Sequence, residues 1–172
     1  RHLIISQLPR SSMRKFVAVV FFSVLVSLAG ATAAHAGWVI EGSVGKGGRL
    51  KEPRGWEPTN VMLAPGYQLL GLLRLQLGIV GDLGDVKNSR FDLQLRPMVG
   101  IYPPIIPLYA RAIFAFSNLV HGPRRTAIGG ALGIKLGLPF IGLGVFAEAG
   151  MLPRFTDSQL ILEGRAGAFW VF

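Results

Sequence analysis

From Leu72 to Val80 the chain reads LLRLQLGIV. Leu73, Leu75, Leu77 and Ile79 fall on one side of an extended backbone, and Arg74, Gln76 and Gly78 on the other. RFDLQLRPMVG repeats the pattern: Phe91, Leu93, Leu95, Pro97 and Val99 share one face, Arg90, Asp92, Gln94 and Arg96 the other. Side chains of a strand alternate sides, so strict alternation at this length predicts strand. Glycines with β-branched or aromatic residues extend the signal, giving eight strands near 38–45, 60–69, 72–81, 90–100, 108–116, 125–137, 143–151 and 159–172. Pro65 and Pro97 lie inside the second and fourth, where a missing N–H predicts a bend or bulge and a weakened ladder.

The connections alternate in kind. KGGRLKEPRGWEPT, DLGDVKNS, SNLVHGPR and LPRFTDS are polar and charged, whereas the turn around Leu70-Gly71, YPPIIP and LPFIG are short and apolar. Long loops at one end and short turns at the other predict an all-β, antiparallel, up-and-down barrel of the transmembrane kind. In such a barrel the apolar face points to lipid and the polar face fills the lumen. Leu73, Leu75, Leu77, Phe91, Leu93, Phe114, Ile134, Leu136, Leu160, Leu162, Trp170 and Phe172 belong to the first face. Glu41, Arg74, Gln76, Asp92, Gln94, Arg96, Arg111, Lys135, Glu148, Glu163 and Arg165 belong to the second, interleaved with Gly129, Ala131, Gly133, Gly137 and Gly167. Eight strands leave an interior that side chains fill, so the lumen is expected to be plugged. Unpaired charges there are costly, so Arg74, Arg96, Arg111, Lys135 and Arg165 should find partners among Glu41, Asp92, Glu148 and Glu163. The spacing does not say which pairs with which.

Composition narrows the class. Hydrophobic residues make up 51% and charged ones 16%, below the roughly 25% of ordinary soluble domains. The excess of 18 basic over 9 acidic residues therefore argues poorly for nucleic-acid binding. Part of that excess lies in the first 36 residues, after which 14 basic face 9 acidic side chains. Met13-Arg14-Lys15, the apolar run FVAVVFFSVLVSLAG and Ala34-His35-Ala36 form the n-region, h-region and cleavage site of a secretory signal peptide over 13–36. Residues 1–12 read as an upstream extension without a structural role, and 37–172 as the barrel. The chain has no Cys, and His2, His35 and His121 are scattered, so neither a metal centre nor a cofactor site is expected.

The ending GRAGAFWVF sharpens the reading. Counting back from Phe172, Trp170, Leu162 and Leu160 share its face. This resembles the C-terminal assembly signal of bacterial outer-membrane β-barrels, and the mature chain resembles small eight-stranded outer-membrane proteins of the OmpA-like transmembrane type. The resemblance implies the outer membrane, recognition of Leu160, Leu162, Trp170 and Phe172 by the barrel-insertion machinery, and a monomer. The periplasmic peptidoglycan-binding domain of that type is expected to be lacking. Trp38, Trp56, Tyr67, Tyr102, Tyr109, Phe140, Phe155 and Trp170 are candidates for interfacial girdles, with Trp56 far out in its loop.

Chemical motifs are sparse. GSVGKGGR lacks the spacing of a phosphate loop, and no helix follows. His121-Gly122-Pro123 has no Ser two residues away, as lipid A deacylases of this barrel class would have, and Ser117 lies four away. Lys46, Arg49, Lys51, Arg54, Arg124, Arg125 and Arg154 are loop cations able to meet lipopolysaccharide phosphates. The sequence thus points to a non-enzymatic structural or surface-interaction barrel. A small pore, a lipid hydrolase and a soluble periplasmic barrel for an apolar ligand stand as alternatives.

Overall fold

The structure, a computed structural model, describes residues 36–83, 92–120, 122–138 and 141–172. The signal-peptide reading up to His35, the face assignment of Arg90 and Phe91, and the readings of His121 and Phe140 lie outside these residues. Among the described residues there are nine strands: β1 Gly37–Arg49, β2 Gly55–Trp56, β3 Asn60–Leu69, β4 Leu73–Asp82, β5 Leu93–Ile101, β6 Leu108–Ser117, β7 Arg125–Gly137, β8 Leu143–Pro153 and β9 Leu160–Val171. Eight of them form one antiparallel sheet in the order β1-β3-β4-β5-β6-β7-β8-β9, and β1 pairs with β9 to close it. Closure removes the free edges that an open sheet would present. The start of β1 and the residue after β9 complete the seam, where the Phe172 N–H donates to the Trp38 carbonyl at 3.0 Å.

β1 runs four residues further than the alternation suggested. Gly45, Gly47 and Gly48 carry weak intrinsic strand preference, but Lys46↔Gly164 through Arg49↔Ile161 continue the ladder with β9. Cross-strand pairing decides the matter there. β2 is a two-residue addition on the loop, pairing Trp56 with Gly48.

The prolines act differently from the expected bulge. The β3–β4 ladder omits Ala64 and Pro65, yet Leu63↔Ile79 and Gly66↔Gln76 keep one register on either side. The β5–β6 ladder likewise omits Arg96 and Pro97 between Leu95↔Phe116 and Met98↔Ile113. Each proline removes hydrogen bonding without adding a residue, so every side chain keeps its face.

Burial is inverted relative to a soluble barrel. Leu75, Leu77, Phe114, Ile134, Leu136, Leu162 and Trp170 are exposed on the outer wall, while Glu41, Arg74, Arg96, Arg111, Glu163 and Arg165 are buried inside. An apolar cluster that includes Met62, Val80, Met98, Ile113, Leu152 and Ile161 fills part of the lumen. Tyr102, Tyr109, Phe146 and Phe169 form a second cluster near the short-turn end.

The two tyrosines of that cluster correct the girdle assignment. Tyr102 and Tyr109 are 2% and 4% exposed, against 61% for Trp38. Their rings stack inside the barrel at 4.6 Å between centroids. Outside, Trp38 meets Tyr67 edge-on at 5.5 Å, and Trp170 lies 5.0 Å from Phe172. Glycine makes room for the inner rings: a Cβ on Gly133 would strike the Tyr109 ring, and one on Gly144 the Phe169 ring. We expect Gly133→Val to destabilise the barrel by about 1–3 kcal/mol through overpacking. Gly164→Ala, whose Cβ meets nothing within 4 Å, should be near neutral. Urea unfolding of the refolded protein, followed by tryptophan fluorescence, checks both.

Candidate functional site

The lumen is where the chain concentrates its buried polar chemistry. Alternation delivers it: Glu41 and Ser43 are successive inward positions of β1, Arg74 and Gln76 of β4, and Glu163 and Arg165 of β9. Arg111 lies at the centre. Its Nη1 donates to Glu41 Oε1 at 2.8 Å and its Nη2 to Glu148 Oε1. Gln76 Nε2 donates to the other Glu41 oxygen at 3.1 Å, and the Tyr109 hydroxyl to Glu148 Oε2 at 2.9 Å. Every one of these carboxylate oxygens thus has a donor.

A second group adjoins the first. Arg165 Nε stands 3.9 Å from Glu148, and its Nη2 pairs with Glu163 Oε1. The same nitrogen donates to Asn60 Oδ1 at 2.6 Å, and Nη1 to Ser43 Oγ at 3.1 Å. Arg96 Nη1 holds the second Glu163 oxygen at 2.7 Å. Its Nη2 donates to Gln94 Oε1 at 3.1 Å, and Gln94 Nε2 donates to Asp82 Oδ2 at 3.0 Å. The result is a continuous polar chain along the barrel, from Tyr102, whose hydroxyl approaches Gln76 at 3.4 Å, to Asp82 near the long loops.

The expected pairing holds for Arg96, Arg111 and Arg165 with Glu41, Glu148 and Glu163. It does not hold for three other residues. Arg74 donates to neutral Gln68 at 2.8 Å and lies 4.1 Å from the Tyr102 ring centre, where a cation–π contact replaces a carboxylate. Lys135 stands 5.6 Å from the same ring. Asp92 accepts from the Asn118 backbone N–H at 2.9 Å and takes no arginine among the described residues. The sequence reading also missed Ser43, Asn60, Gln68 and Asp82 as members. Parity supplies a signal for Ser43, two positions from Glu41 on one strand.

The loop cations divide by partner. Arg154 is a correction: it is buried, held by Asp157 at 3.1 Å and Glu57 at 3.5 Å, and presents no free surface charge. Arg49 pairs with Glu57 at 3.2 Å, Arg54 with Glu52 at 3.4 Å and Arg125 with Asp157 at 3.8 Å. Lys46 lies over Trp56 at 5.4 Å from the ring centre. Lys51 and Arg124 are exposed. Slight burial alone would raise the Asp157 carboxyl, but the hydrogen bond and charge of Arg154 outweigh it, helped by the Gln159 N–H and Arg125, and hold it below its ordinary value. A carboxyl lowered on folding supports the loops at neutral pH and loses that support as pH falls through the lowered value.

Closed wall, filled centre and apolar exterior together define an eight-stranded antiparallel β-barrel turned inside out relative to soluble barrels. The chain is similar in fold to the crystal structure of Neisserial surface protein A, with a TM-score of 0.56 and 13% identity over 80% of this chain and 98% of that one. It is also similar to a de novo designed transmembrane β-barrel, with a TM-score of 0.50 and 14% identity over 81% of this chain and 98% of the design. At such identities the likeness is one of fold. The sequence matches no protein-family model and no curated protein.

The losses of two partners in the central network should not add. Glu41→Ala leaves Arg111 short of a counter-charge, and we expect a loss of about 3–5 kcal/mol in urea unfolding. The double replacement Glu41→Leu with Arg111→Leu should cost less than the sum of the two single changes, as a double-mutant cycle would read.

Proposed function

We propose that this chain is a bacterial outer-membrane β-barrel with a structural or surface-interaction role, its interior closed by side chains. The observation that carries this reading is the inverted distribution of polarity. An exterior of Leu63, Leu75, Leu132, Ile134, Leu136 and Val145, exposed along the wall, suits hydrocarbon and not water. The soluble alternative needs an apolar interior for its ligand, whereas Arg111 and the five lumen charges joined to it sit where that ligand would go. A pore needs an open path, and the polar chain from Tyr102 to Asp82 occupies it. The aromatic pairs Trp38–Tyr67 and Trp170–Phe172, beside the short turns, suit the interface on that side.

On this reading Phe172 and its outward neighbours Trp170, Leu162 and Leu160 present the last strand to the insertion machinery. The exposed cations Lys46, Lys51 and Arg124 meet anionic headgroups above the wall. The barrel acts as a monomer and without catalysis.

Fractionation of cells expressing the full chain tests the address. We expect it to sediment with outer membranes and to shift in gel mobility between unheated and boiled samples. Free release from the periplasm without a shift would overturn the reading. Planar-bilayer recording of the extracted protein should show no steady conductance. Stable open steps would favour the pore instead.

A further inference from the structure

The lumen's charges are unevenly placed: Asp82 and Asp92 lie at the long-loop end, away from the cations of the short-turn end. Glu41, Glu148 and Glu163 match Arg96, Arg111 and Arg165 one for one. Arg74 and Lys135 stand outside that balance. Both lie toward the short turns, Arg74 at the second position of β4 and Lys135 three from the end of β7. Neither forms an ion pair with a carboxylate among the described residues, and the one side-chain acceptor on Arg74 is the neutral Gln68. The Arg74 side chain is buried, 2% exposed for the whole residue, and its Nε has no acceptor. The Nε atoms of Arg96 and Arg111 share that lack, but their terminal nitrogens are held by Glu163 and Glu41.

Two cations drawn to one tyrosine ring, with no anion between them, are poorly placed in a medium of low dielectric. A cavity of about 340 Å³ opens at this point. Arg74, Lys135 and Gln68 give it a polar, cationic part. Ile105, Ile106, Leu136, Leu138 and Leu143, all exposed, give it an apolar rim. Cationic donors beside an apolar rim match a molecule that is anionic at one end and alkyl at the other.

We propose that the short-turn mouth binds an anionic amphiphile, its oxyanion headgroup held by Arg74 and Lys135 and its alkyl chain lying along the rim. The Arg74 Nε–H and the Lys135 ammonium are the donors that such a headgroup takes, in charge-assisted hydrogen bonds. The inference rests on where the lumen's cations lie and not on the barrel's cellular address, so a soluble fractionation result would leave the binding test intact.

The test is titration of the isotopically labelled protein in maltoside micelles with dodecyl phosphate, read at the Arg74 Nε–H and Tyr102 ring resonances by NMR. We expect a saturable shift at both, and no shift with dodecanol or inorganic phosphate at the same concentrations. Lys135→Gln, which retains Arg74 and the central network, should raise the half-saturation concentration about tenfold or more. Thr126→Ala, at the opposite end of β7, should leave it unchanged. Several results would overturn the proposal: no shift with dodecyl phosphate, an equal shift with dodecanol, or wild-type binding by the Lys135 variant. Equal binding of inorganic phosphate would show that the alkyl chain is not read, and would overturn it too.

Discussion

The structure depends on one constraint: charges enclosed by an eight-stranded wall must be answered inside it. Water that would solvate a guanidinium is displaced by side chains, and hydrogen bonds and counter-charges have to take its place. Arg111 meets this by facing two carboxylates, and Glu163 by receiving Arg96 and Arg165 together with Asn60. Arg111 reaches from β6 to β1 and β8, Arg96 from β5 to β9, and Arg165 from β9 to β8. The network therefore couples β1, β5, β6, β8 and β9 across the lumen, in addition to the ladder that runs around it.

Size follows from the same enclosure. A lumen of eight strands admits a large residue only where its neighbour is small. Tyr109 lies over Gly133 and Phe169 over Gly144, while Gly45 leaves space for the Arg165 guanidinium. The abundance of glycine, 23 residues in all, is then partly a packing requirement of the charges and rings, and not only a matter of turns.

Much of this was legible in the alternation. LLRLQLGIV specifies both the strand and its two faces, and the predicted and observed bounds of β3 and β7 agree. Parity also held information that local position obscured. Tyr109 shares a face with Arg111, and Tyr102 with Gly100, so both point inward although they lie at strand ends where girdle aromatics are usual. Pro65 and Pro97 announce a broken ladder, but whether the register shifts depends on the partner strand. The pairings were not legible at all. Glu41 and Arg111 lie 70 residues apart, and only the stagger of strands around the closed wall brings them together. Arg74 and Lys135 escaped for the complementary reason: one inward-facing cation looks like another until the counter-charges have been assigned.

The absence of cysteine makes the central claim, that this barrel is inside out, directly measurable. Single cysteines at Leu75, Ile134 and Leu162, and at Ser43 within the lumen, can carry a fluorophore in protein reconstituted into vesicles. The account predicts strong quenching by bromine- or nitroxide-bearing lipid chains at the three wall positions and little at Ser43. Quenching of the wall positions by aqueous iodide, with the lipid probes silent, would contradict it.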